Sequence, residues 1–281
     1  MKRRMSLLLI MLLSIAMLLT GCGASNSGEV KTSDATDAGT FKVGLECAYA
    51  PFNWTQIDDS NGGVRIDGAS EYAGGYDVEI AKRIAEGLGK ELVIVKTEWD
   101  GLVPALTSGK IDAIIAGMSP TAERKETIDF SDIYYKSDLV MVVKKGGEYD
   151  DATSIQDFKG AKITGQLNTF HYSVIDQIEG VDKQEAMDNF SAMRVALESG
   201  MIDGYVSERP EGISAESANE NFKMIEFSDG FITSDDDTAI AVGIAKNSEL
   251  TEKINEILEG ISQKERTDIM DNAIKNQPAA D

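Results

Sequence analysis

The stretch from Phe41 to Ala116 repeats one pattern, and that pattern constrains the fold more than anything else in the chain. Short apolar runs (Phe41-Lys42-Val43-Gly44-Leu45, Glu91 to Val95, Ile111 to Ala116) alternate with stretches of helical periodicity. From Asp77 onward, Val78, Ile80, Ala81, Ile84, Ala85 and Leu88 share one helical face, and Gly87 and Gly89 mark its end. Asp100 is placed to cap a helix over Leu102–Ser108 that stops at Gly109. Strand–helix–strand–helix–strand predicts a parallel α/β unit. The turn-rich Asp58-Asp59-Ser60-Asn61-Gly62-Gly63 predicts a hairpin.

A second unit of the same kind follows. Ala161–Thr164 and Asp203–Val206 read as strands, Phe170–Ile178 and Ala192–Ser199 as helices. Two β-rich segments, Leu139–Val143 and Thr238–Ile244, bracket this unit and read as paired crossings between two lobes. Amphipathic helices over Glu249–Ile261 and Gln263–Ile274 are expected to pack back on the first lobe. In parallel α/β sheets ligands sit beyond the carboxyl ends of the strands, so the loops after strands are where a site is sought.

The beginning of the chain follows other rules. Lys2, Arg3 and Arg4 precede an apolar run from Ser6 to Leu19, the layout of a secretory signal. The run is shorter than the roughly 20 apolar residues that span a bilayer. Leu19-Thr20-Gly21-Cys22 at its end resembles the lipobox of bacterial lipoproteins, in which Cys22 receives a diacylglyceryl group and becomes the mature N-terminus. An ordinary signal peptide with an incidental cysteine is the plainer alternative. Lipidation implies an extracytoplasmic protein held to the membrane through its anchor. Residues 23–40 are small, polar and acidic and read as a flexible tether. The expected division is thus 1–21 signal peptide, 22–40 lipidated cysteine and tether, 41–141 with 240–281 lobe 1, and 142–239 lobe 2.

Charge and composition remove several functions. The net charge is −21, and loss of three basic residues with the signal leaves −24, so nucleic acid is not an expected partner. The acidic surface serves solubility or draws cations. There are two cysteines; with Cys22 lipidated, Cys47 has no partner and no disulfide framework exists. The single histidine, His171, excludes HExxH sites and multi-histidine cages, and no metal or cofactor is expected. GxSxG, SxxK and phosphate-loop motifs are absent, so an enzyme is not expected.

Several ordered blocks carry a family resemblance. Gly75-Tyr76-Asp77-Val78-Glu79-Ile80-Ala81 resembles the signature of bacterial extracellular solute-binding proteins of family 3, the amino-acid receptors of ABC importers. Trp99-Asp100-Gly101-Leu102-Val103-Pro104-Ala105-Leu106 with Ser108-Gly109-Lys110-Ile111-Asp112-Ala113 resembles the next block. Gly117-Met118-Ser119-Pro120-Thr121-Ala122-Glu123-Arg124 with Asp129-Phe130-Ser131 resembles the third. The resemblance implies a two-lobed type II periplasmic-binding-protein fold with a ligand cleft between lobes joined by two hinge strands. It also implies a monomer that delivers an amino acid to the transmembrane subunits of an ABC permease. A same-fold enzyme of the cyclohexadienyl dehydratase type and a sensory amino-acid receptor are the alternatives.

An amino acid is a zwitterion, and each of its charges needs a partner once buried. The resemblance assigns the carboxylate to Arg124, whose guanidinium offers two parallel donors, helped by Ser119 and Thr121; the plainer reading of Arg124 is a surface pair with Glu123 or Glu126. In the second lobe Thr169 and the Phe170 amide complete carboxylate binding, with Asn168 where the family usually has glycine. Glu208, where the family has aspartate, receives the ammonium with the Gly117 carbonyl. Tyr49 and Trp99 map onto the aromatic walls around the side chain. Glu46 stands where relatives that bind basic amino acids carry an acid, which favours arginine, lysine or ornithine. His171 is expected on an exposed helix face, and Asp235-Asp236-Asp237 in a solvated turn.

Overall fold

The computed structural model describes residues 39–278. The expected signal peptide, Cys22 and nearly all of the expected tether lie outside them. Among the described residues no helix is long and apolar enough to cross a membrane.

The chain enters with β1 (Thr40–Leu45), whose inward side chains Phe41, Val43 and Leu45 are fully buried. Four short strands follow: β2 (Ala48–Tyr49), β3 (Asn53–Gln56), β4 (Val64–Arg65) and β5 (Tyr72–Gly74). Helix α1 (Tyr76–Gly87) buries the expected face, with Val78, Ile80, Ala81, Ile84 and Ala85. Then come β6 (Glu91–Lys96), α2 (Leu102–Thr107), β7 (Ala113–Ile114), α3 (Ala122–Thr127) and β8 (Asp129–Lys136). The second lobe holds β9 (Leu139–Lys144), β10 (Lys162–Thr164), α4 (Phe170–Ser173), β11 (Asp182–Lys183), α5 (Phe190–Ser199), β12 (Gly204–Glu208), α6 (Arg209–Ala218) and β13 (Phe222–Ile225). The chain returns through β14 (Ala239–Ile244) and ends in α7 (Leu250–Glu259) and α8 (Gln263–Asn276).

Two five-stranded sheets share one plan. The first runs β6-β1-β7-β14-β8, the second β11-β10-β12-β9-β13. In each, three parallel strands are followed by an antiparallel one, and that strand is where the chain crosses between lobes. Burying each Ile, Val or Phe of these sheets stabilises by about 1.5–3 kcal/mol, and a core this size is why the lobes stand without disulfides. The core is not divided cleanly: Phe190, Met193, Leu197 and Tyr205 of the second lobe pack with the apolar cluster of the first.

Local detail departs from the sequence reading at several points. The two crossing segments do not pair with each other. Strand β9 lies between β12 and β13, while β14 lies between β7 and β8. The crossings touch through β8 instead, where Ala239 stands opposite Lys136 and the Ser137 amide donates to the Thr238 carbonyl at 3.0 Å. The Asp58–Gly63 turn does not close a hairpin, because β5 inserts between β3 and β4. Only Ala113–Ile114 of the third apolar run is ladder-paired, and Phe170–Ile178 is a four-residue helix continued by a tighter turn over Val174–Gln177. Adjacent Val174 and Ile175 are β-branched and lower the helical preference there. Helix α8 packs on α1 as expected, but its end also reaches the second lobe, where Gln277 and Ser214 of α6 hydrogen-bond.

Candidate ligand-binding site

The loop after β7 is built around Gly117. Its φ of +62° suits glycine, and a Cβ there would sit 2.6 Å from Cε1 of Tyr49. Beneath it Asp77, fully buried, accepts from Tyr134 Oη at 2.7 Å and Asn53 Nδ2 at 2.8 Å, and Tyr134 Oη accepts from the Gly117 amide at 3.3 Å. Burial pushes the Asp77 carboxyl up to about 7 against these hydrogen bonds. The motif aspartate at the start of α1 is therefore the footing of the loop, a role that a helix pattern does not reveal.

That loop ends at Thr121, whose hydroxyl caps α3 by accepting from the Arg124 amide. Capping points the Arg124 side chain back along the loop, where Nη1 donates to the Ser119 carbonyl at 3.0 Å. Nη2 crosses to the second lobe and donates to the Asn168 carbonyl at 3.1 Å. The guanidinium lies 5.1 Å from the Trp99 ring centroid, a cation–π contact. Among the described residues Arg124 makes no ion pair, so neither surface pair with Glu123 or Glu126 forms. Burial pulls its guanidinium down to about 10. Asn168 takes the left-handed φ of +54° that its glycine-like position demands, and its Nδ2 donates to Asp100 at 2.9 Å. The Thr169 hydroxyl donates to the Gln166 carbonyl at 2.7 Å, and Phe170 opens α4, where first-turn amides lack intrahelical partners.

These residues enclose a cavity of about 690 Å³ between the lobes, lined by Trp99, Thr121, Arg124, Asn168, Thr169 and Phe170 among others. Glu46, Tyr49, Gly117, Ser119 and Glu208 do not line it; they are buried in a second, inner group. The expected aromatic sandwich is not formed. Tyr49 stacks on Phe190 of the other lobe, centroids 4.4 Å apart and planes within 10°, while Trp99 faces Arg124.

Glu208 ends β12 rather than following it and is 1% exposed. Neither of its carboxylate oxygens has a hydrogen-bond partner, and the same holds for the Tyr49 hydroxyl and both His171 ring nitrogens. His171 is buried, not exposed as its place at the helix start predicted, and its Nε2 lies 3.4 Å from Glu208 Oε1. Tyr49 is held protonated by burial first and by the Glu208 charge second. Glu46 is equally sheltered. Gln166 Nε2 of the second lobe sits 3.2 Å from each of its oxygens and also donates to the Asp188 carbonyl at 3.0 Å. Burial raises the Glu46 carboxyl to about 7, the Gln166 hydrogen bond opposes this, and Glu98, Asp100 and Asp188 add to it. Cys47 beside it is buried, with its thiol pushed up to about 12, which makes it unreactive.

The Asp235–Asp237 turn is more than solvated. Asp235 pairs with Lys136 and Asp236 with Lys125, each at 2.7 Å, and the Asp237 carbonyl accepts from Ser119 Oγ at 2.8 Å. Gln166, Asn168, Phe190, Asp237 and the Asp77–Tyr134 pair were not marked as site residues by the sequence. Only Gln166 and Asn168 carried a signal, as neighbours of Thr169 in a strand-to-helix loop.

Residues 41–273 match the family of bacterial extracellular solute-binding proteins, family 3. The chain belongs to that family. It is 30% identical over 259 residues to the arginine-binding extracellular protein ArtP of Bacillus subtilis, covering 90% of each chain. It is 32% identical over 206 residues to a probable histidine-binding protein of Campylobacter jejuni, covering 70% of this chain and 74% of that one. An amino acid ABC transporter substrate-binding protein from Streptococcus pneumoniae, solved bound to L-arginine, superposes with a TM-score of 0.75 at 26% identity, covering 84% of this chain and 94% of that one. The two lobes, with their matched sheets and two crossings, are the type II periplasmic-binding-protein fold of this family of solute-binding proteins.

Proposed function

We propose that this solute-binding protein captures a free amino acid with a cationic side chain outside the cytoplasm and delivers it to the transmembrane subunits of an ABC importer. One observation carries the reading. Two groups of opposite charge stand on different lobes: half-buried Arg124, held by two carbonyls and the Trp99 face without an ion pair, and fully buried Glu208, whose oxygens accept no hydrogen bond and which has only His171 within ion-pairing distance among the described residues. A buried charge left alone costs several kcal/mol, so each group calls for a counter-charge. A zwitterion supplies both, the carboxylate to Arg124 and the ammonium to Glu208, with the Gly117 carbonyl, Ser119, Thr121, Thr169 and the Phe170 amide as further contacts.

The acid cluster of Glu46, Glu98, Asp100 and Asp188 supports a cationic side chain. Tyr49 and Trp99 are the aromatic surfaces for its stem, which requires Tyr49 to leave Phe190. Relatives that bind arginine or are described as histidine-binding support this choice. Residues 41–141 with 240–281 and residues 142–239 then act as the two closing lobes, and the lipobox-like Leu19–Cys22 tethers them to the membrane through lipid on Cys22.

The test is a panel of amino acids scored by thermal shift and calorimetry. A ligand that binds only the native state stabilises it by about 2.7 kcal/mol at a hundredfold excess over Kd. Arginine, lysine or ornithine ranks first. A lead for an acidic or aliphatic amino acid overturns the cationic preference and leaves amino-acid capture standing. No response to any amino acid overturns the whole reading.

A further inference from the structure

The amine side of the cleft holds a base that the zwitterion argument does not use. His171, second residue of α4 and 5% exposed, lies between the Phe170 ring (centroids 4.3 Å) and the edge of Phe190 (6.0 Å). Its Nε2 is 3.4 Å from Glu208 Oε1, and no other cation among the described residues lies within ion-pairing distance of that carboxylate. The remaining ionisable neighbours are neutral, acidic or already engaged. Tyr49 and Tyr135 face Glu208 from the first lobe, and Asp77 lies beyond them at the start of α1. Glu211 on α6 is held by Arg194, Tyr205 and Ser207, so Arg194 is spent on it. Arg209, next to Glu208 in sequence, pairs outward with Glu226.

We propose that His171 is the resident counter-charge of the amine subsite: protonated it pairs with Glu208 and excludes the ligand ammonium, neutral it leaves the carboxylate to the ligand. The inference rests on the reading of Glu208 as the ammonium partner. An imidazolium and an ammonium cannot both be matched by one buried carboxylate, since the excess positive charge is then desolvated without a partner. Ligand and proton therefore compete, and by reciprocity each weakens the other by the same factor. His171 is a positioning residue for Glu208 that also sets the pH range of capture.

The sequence offers a direct readout, because His171 is the only histidine. In untagged protein the imidazole Cε1–H resonance reports this one group. Its titration midpoint is followed by NMR without ligand, with saturating L-glutamine and with saturating L-arginine. The neutral side chain of glutamine keeps Glu46 out of the comparison. The expected result is a fall of about one pH unit in the midpoint on binding, with a matching tenfold loss of affinity on the acid side. In ligand-free Glu208→Gln the midpoint falls as well, and in His171→Gln the acid loss of affinity disappears. A midpoint unmoved by ligand that does bind, or unmoved by Glu208→Gln, overturns the proposal. If no amino acid binds, the function reading fails, and the Glu208→Gln comparison still decides whether the pair exists.

Discussion

Glu46 stabilises the ligand-free fold in acid and burdens it at alkaline pH, and the size of the effect follows from its surroundings. Burial raises its carboxyl from the ordinary 4.5 to about 7. Because the folded value lies above the unfolded one, the native state holds the proton more tightly. The favourable contribution is present below about pH 4.5 and is lost as pH rises through 7. The full difference is worth about 3 kcal/mol, of which about 2.5 kcal/mol falls between pH 5 and pH 8. Glu46→Gln removes the titration, and the substituted amide keeps an acceptor for Gln166 Nε2, which now sits against both carboxylate oxygens. Asp77 also titrates near 7, but it is present in both proteins and cancels in their difference. The assay is thermal and denaturant unfolding of ligand-free wild type and Glu46→Gln at the two pH values. The variant gains about 2–3 kcal/mol more at pH 8 than at pH 5, roughly 4–12 °C of melting temperature at 2–4 °C per kcal/mol. Saturating arginine reverses the order at pH 8, since the cationic side chain pairs with the wild-type carboxylate and not with the amide. A stability difference that is the same at both pH values refutes the account of Glu46 as a buried, desolvated acid.

Two further outcomes test the remaining parts. Arg124→Ala removes one partner of a desolvated charge pair and weakens amino-acid binding by about 2–5 kcal/mol, roughly 30- to 5,000-fold by calorimetry; binding equal to wild type places the carboxylate elsewhere. Cys22→Ala releases protein into the medium or leaves an uncleaved precursor, and a processed variant retained on the membrane refutes lipid attachment at that residue.

Periodic burial made the lobes legible. In α1 the helical spacing of Val78, Ile80, Ala81, Ile84 and Ala85 is also the buried face, so local pattern and tertiary packing agree. Helix α6 carries no such pattern. Its buried residues are Pro210, Glu211, Gly212, Ser214 and Ala215, and what buries Glu211 is the set of donors on Arg194, Tyr205 and Ser207, brought from other elements. Hydrophobic spacing cannot announce a helix whose inner face is small and polar. Strand β8 lacks a local signal for a related reason, since Asp129-Phe130-Ser131-Asp132 has two acids in four residues and takes its ladder from β14.

The site divides along the same line. Arg124, Thr121 and Gly117 were named from the family resemblance, and a capped helix after a strand holds them within a few residues of one another. What the sequence missed crosses between lobes: Tyr49 on Phe190, Gln166 on Glu46, Arg124 on Asn168. Each of these contacts joins residues separated by some 40 to 140 positions, and none has a local signature. They also explain why His171 is buried where helix position predicted exposure, since Phe190 and Glu208, which help to cover it, arrive on α5 and β12. The cross-lobe contacts are the ones a ligand must compete with or use. In the proposed site, separating Tyr49 from Phe190 uncovers the Tyr49 face, and an aliphatic stem between Tyr49 and Trp99 restores its burial while the charged end meets Glu46. Parting these contacts is thus unfavourable without a ligand and offset when one is bound, which is the energetic condition for a ligand to replace them.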